Sequence, residues 1–114
     1  MDIRQLQQEI QRLQTEADSK RRHAERRMTD ANGYMRNGDS DRAKVEQDTA
    51  TQLTNEANEH IATANELTAE LNEKQRRVVE LESAKSAKEA ELRSELERLE
   101  QEKRELEGRP LSFF

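Results

Sequence analysis

"RNGDSDRA", residues 36–43, decides the fold. Gly38 can take the left-handed conformation that closes a helix. Asp39 or Ser40 can cap a following helix, and Asp41 stands in its first turn, where the positive helix end favours an anion. The stretch reads as a tight turn at 37–39 between two helices. Asn32–Gly33 offers a competing break, because a helical glycine costs about 1 kcal/mol. The one proline is Pro110, so nothing before it interrupts helical hydrogen bonding.

Apolar residues on both sides of the turn recur by sevens. Before it they fall at Ile3, Leu6, Ile10, Leu13 and Ala17, then at Ala24, Met28, Ala31 and Met35. Steps of three and four put them on one helix face. Asp2 and Gln5 form a capping pair at the start. After the turn, one column holds Ala43, Ala50, Ala57, Ala64, Leu71 and Val78. A companion column holds Leu53, His60, Leu67, Lys74 and Leu81, with Ile61 beside His60. Folding the chain back at the turn sets Ala31 near Ala43, Ala24 near Ala50, Ala17 near Ala57, Leu13 near Ile61 and Leu6 near Leu67. Small residues meet near the turn and large ones at the open end. The expected fold is all-α, an antiparallel helical hairpin of a short first helix and a long second one.

The stretch "ANGYMRNGDSDRA" resembles the turn of a tetratricopeptide-repeat hairpin at Ala31, Tyr34, Gly38, Asp39 and Ala43. No second copy stands at the repeat spacing, and what the resemblance implies is the helix–turn–helix alone.

The two helices are unequal. At 1.5 Å per residue, a first helix ending near Asn37 reaches roughly 54 Å and a second over 40–107 roughly 100 Å. The hairpin is therefore expected over 1–74, and a coiled-coil extension over 75–107. Its seam would be Val78, Leu81, Leu92, Leu96, Leu99 and Leu106, with Val79 nearby. The column runs on through residue 106, but its companion moves from three residues ahead to four, which reads as a slight turn of the apolar face. Between the two arrangements lies "ESAKSAKEAE", residues 82–91, with no large apolar side chain. Glu89 to Arg93 and Glu100 to Arg104 are expected ion pairs one turn apart. The first helix cannot cover this seam, so a second copy is expected to, as a dimer. A parallel pair is simplest, and an antiparallel pair or another protein's helix also fits.

Composition limits the chemistry. Charged residues are 39% and apolar ones 31% of 114 residues, too few large side chains for a broad compact core. No cysteine is present, and His23 and His60 have no ligand partner at helical spacing. No glycine-rich phosphate loop and no catalytic constellation stand out, and two slender helices offer no dry concave site. No enzyme activity, catalytic residue, metal or cofactor is expected. No membrane span or signal segment is evident, and a cytoplasmic location is expected.

Two features remain. "KRRHAERR", residues 20–27, gathers Lys20, Arg21, Arg22, Arg26 and Arg27 around one Glu25, while 48–55 opposite holds only Asp48 as an acid. This is a possible anion patch for nucleic acid, against which the net charge of −5 argues. The last residues, 108–114, read "GRPLSFF" and hold both phenylalanines. Gly108 ends the helix and Pro110 blocks its restart. Leu111, Phe113 and Phe114 are then expected to form a non-helical docking peptide for a protein partner, the alternative being a plug folded back on the rod's own tip or on a second chain. The functional expectation is a non-enzymatic scaffold or assembly factor. A secretion-apparatus stalk or export chaperone, and a nucleic-acid binder using residues 20–27, are the alternatives.

Overall fold

The computed structural model describes residues 1–108. They form two helices, α1 (Ile3–Arg36) and α2 (Ser40–Glu107), and no strand. The chain divides into two units, Met1–Gln75 and the part from Arg76 onward.

Local chemistry sets the helix ends. At the start of α1 the Asp2 carboxylate accepts from the Gln5 N–H at 2.7 Å, and the Gln5 side-chain oxygen accepts from the Asp2 N–H at 2.9 Å. Two otherwise unpaired donors are satisfied reciprocally. At the other end Gly38 has φ 79°. Its N–H donates to the Met35 carbonyl at 3.1 Å, and the Asp39 N–H reaches back to Tyr34 at 2.9 Å. This double closure needs a left-handed residue, which glycine supplies without a Cβ clash. Asp39, not Ser40, then caps α2. Its Oδ1 accepts from the Arg42 N–H at 3.2 Å and its carbonyl from the Ala43 N–H at 3.1 Å. The Arg42 guanidinium sits 5.8 Å from the Tyr34 ring centre, bridging the turn by a cation–π contact. Gly33 remains inside α1, so the competing break is not used.

In the first unit the two helices run in opposite senses. Side-chain contacts link Lys74 to the Met1 carbonyl, His60 to Glu16, Lys20 to Glu56 and Arg27 to Glu46. Residue numbers rise on α1 as they fall on α2. The buried residues are Leu6, Ile10, Leu13, Ala17, Ala24 and Ala31 of α1 and Ala43, Ala50, Ala57 and Ala64 of α2. Seven of these ten are alanine, so most of the seam buries one methyl per residue, on the order of 0.8 kcal/mol each. Leu6, fully buried, contributes about 1.5–3 kcal/mol.

Met28 and Met35, expected in the seam, are instead exposed. Half-buried His23, Arg27 and Tyr34 flank Ala24 and Ala31 in their place. An alanine column leaves a narrow gap with no room for a second column of bulky side chains. A long polar side chain can lie along its edge and end on the facing helix, as Arg27 does on Glu46. The companion column on α2 is likewise half-buried, at Leu53, His60, Leu67 and Lys74.

Candidate functional site

The second unit carries the largest unpartnered apolar feature. Every described residue from Gln75 to Gly108 is exposed. Val78 keeps 42% of its surface in water, Leu96 57% and Leu106 67%. Val79, Leu81, Leu92 and Leu99 are exposed as well. These belong to the stripe expected to form an oligomer seam, and no described residue covers them. The helix is supported by charges one turn apart: Arg76 with Glu80, Lys85 with Glu89 at 3.9 Å, Lys88 with Glu91 at 3.6 Å, Arg98 with Glu102 at 3.7 Å and Lys103 with Glu107 at 3.9 Å. The pairings differ from those expected. Glu89 turns to Lys85 rather than Arg93, and the side chains are exposed, so each pair contributes only a few tenths of a kcal/mol.

The basic stretch divides in two. Lys20 Nζ lies 2.9 Å from Glu56, and Arg27 holds Glu46 through contacts of 3.0 and 3.2 Å while donating to His23 Nε2 at 3.2 Å. The Lys20 hydrogen bond holds the Glu56 carboxyl below the usual carboxylate range. The neutralising acids are thus Glu46 and Glu56, just outside the window 48–55. Arg21, Arg22 and Arg26 are exposed, and no carboxylate among the described residues pairs with them. Arg22 and Arg26 border a shallow groove with Ser19, Glu25 and Thr29. Only three of the five basic residues therefore present free charge.

His60 is a half-buried seam residue. Its Nε2 is shielded from water without a hydrogen bond, and Glu16 lies 3.5 Å away. Near the first unit's open end, Arg12 bridges Glu9 and Glu16, which lowers the Glu9 pKa through the Arg12 hydrogen bond. Among the described residues no three His, Cys, Asp or Glu groups gather to hold a metal ion, and no helix is long and apolar enough to cross a membrane. Leu111, Phe113 and Phe114 lie outside the described residues. No protein-family model matches the sequence, nor does any curated protein or solved structure.

Proposed function

We propose that the chain is a non-enzymatic coiled-coil adaptor that self-associates. Residues 1–74 act as an antiparallel helical hairpin, a body closed on itself. The stripe from Val78 to Leu106 is the association surface. Leu111, Phe113 and Phe114 offer an apolar peptide to a protein partner, in the manner of a scaffolding or assembly factor. The exposed stripe is the observation that carries this reading. Burying one leucine is worth about 1.5–3 kcal/mol, and a lone amphipathic helix forgoes that gain for each of Leu81, Leu92, Leu96, Leu99 and Leu106.

Sedimentation of the full chain tests the association. Removing residues 109–114 tests the peptide separately: partner capture should be lost while helicity and self-association persist. A contrasting reading, nucleic-acid binding, draws on exposed Arg21, Arg22 and Arg26. It requires affinity that falls steeply with salt. The pairing of Lys20 and Arg27 within the chain disfavours it.

A further inference from the structure

We infer that the stripe of the second unit pairs with the same stripe of a second copy in antiparallel orientation, about a two-fold axis between Lys88 and Glu89. This inference rests on the self-association proposed above and names its geometry.

The change of companion along the stripe leads to it. At about 100° per residue, a strict seven-residue column drifts about 20° round the helix with each repeat. From Leu81 to Leu92 the stripe takes a single 11-residue interval. Such an interval nearly cancels the drift. Positions 78, 81, 85, 88, 89, 92, 96 and 99 consequently stay within one arc of about 100°. The altered spacing thus holds the apolar face in place rather than turning it. It also sets four residues of the stripe in mirror order, while Leu92 falls opposite Lys85. Counted outward from between Lys88 and Glu89, Leu81 and Leu96 lie at equal distances, as do Val78 and Leu99. An antiparallel copy therefore sets Leu81 against the partner's Leu96, and Val78 against the partner's Leu99. The stretch 82–91 falls at the centre, and the positions it places on the arc are the charged residues Lys85, Lys88 and Glu89.

Charge separates this arrangement from its competitor. In the antiparallel pair the two Lys88 and two Glu89 side chains gather round the axis as a charge-balanced group. On one flank Glu82 meets the partner's Arg93, and on the other Arg77 meets the partner's Glu102. Each flank contact occurs twice by symmetry, and each joins opposite signs. Among the described residues neither Glu82 nor Arg93 has an ion-pair partner, so both are available. A parallel, in-register pair would instead set Lys85, near the middle of the arc, against its own copy. It would also set Glu95 and Glu102 beside the partner's Glu100 and Glu107, a repulsive pattern at the flanking positions that choose partners.

The chain has no cysteine, so single-cysteine variants report orientation cleanly. Full-length Leu81→Cys and Leu96→Cys chains, mixed and mildly oxidised, should give the mixed disulfide and little of either symmetric one. Arg93→Glu should weaken the dimer about tenfold, and adding Glu82→Arg should restore it. Symmetric disulfides, or a dimer that Arg93→Glu tightens, would overturn the antiparallel geometry while leaving self-association standing. A dimer that yields no disulfide from this mixture would also overturn it, since its register would differ. A chain that sediments as a monomer at all concentrations would defeat self-association itself.

Discussion

The second helix has two halves with the same seven-residue rhythm and opposite fates. In the first unit its column of Ala43, Ala50, Ala57 and Ala64 is buried although each residue offers one methyl. In the second unit the same column reaches Leu92, Leu99 and Leu106, with far more apolar surface, and all three are exposed. Periodicity alone therefore does not bury a residue; a facing helix does. In this column alanine stands where a facing helix covers it, and the leucines at 92, 99 and 106 stand where no described residue does.

Substitutions can break the comparison, and the largest effects should come from the leucines. Leu6→Ala removes a fully buried side chain and should lower the stability of the first unit by about 2–4 kcal/mol in thermal or urea unfolding. Leu96→Ala should leave that unfolding free energy within about 0.5 kcal/mol, because its side chain is exposed within the chain. It should instead weaken self-association by more than about tenfold, measured by sedimentation. If both variants destabilise the isolated chain alike, the contrast between the units fails.

Ala24→Leu tests the close approach. A larger side chain at a 5% exposed site has to push the helices apart and should cost about 1–3 kcal/mol. A neutral result would mean the alanine seam is loose. The glycines sharpen the turn. Gly38→Ala forces a side chain into a left-handed residue and should cost about 1–2 kcal/mol, whereas Gly33→Ala, inside α1 with no atom within 4 Å of the added methyl, should stabilise by up to about 1 kcal/mol.

The smallest expected effect is electrostatic. The folded-state pKa of Glu56 is lowered by Lys20, so its contribution is present above the ordinary carboxylate range and is lost as pH falls through the folded value. Lys20→Met should reduce the loss of melting temperature between near-neutral and acidic pH. The effect should shrink in high salt, because the pair is partly exposed. An unchanged pH dependence would remove Lys20–Glu56 from the account.

The helices were readable because their signals are local. The Asp2–Gln5 pair, the Asn37–Asp39 turn and the proline-free run before Pro110 each act within a few residues. Both helix boundaries follow from them. The buried alanines were readable for a related reason, since their seven-residue spacing puts them on one face of each helix. The edges of the seam were not readable. Met28 and Met35 fit the spacing but lose their places to Arg27 and Tyr34, because an alanine seam leaves no depth for them. Glu46 and Glu56 were missed as partners of the basic stretch because Arg27 and Lys20 reach beyond the directly opposite window. The apolar stripe of the second unit was legible from its spacing, and the occupant proposed for it rests on flanking charges and on the mirror order of Val78, Leu81, Leu96 and Leu99.

Sedimentation equilibrium of the intact chain beside one ending at Lys74 tests the central claim most directly. The intact chain should show twice the mass of a 13.3 kDa protomer, in a concentration-dependent equilibrium that Leu96→Ala weakens, while the shorter chain remains single. Equal subunit numbers for both chains would contradict the claim, because the stripe from Val78 to Leu106 would then need no companion.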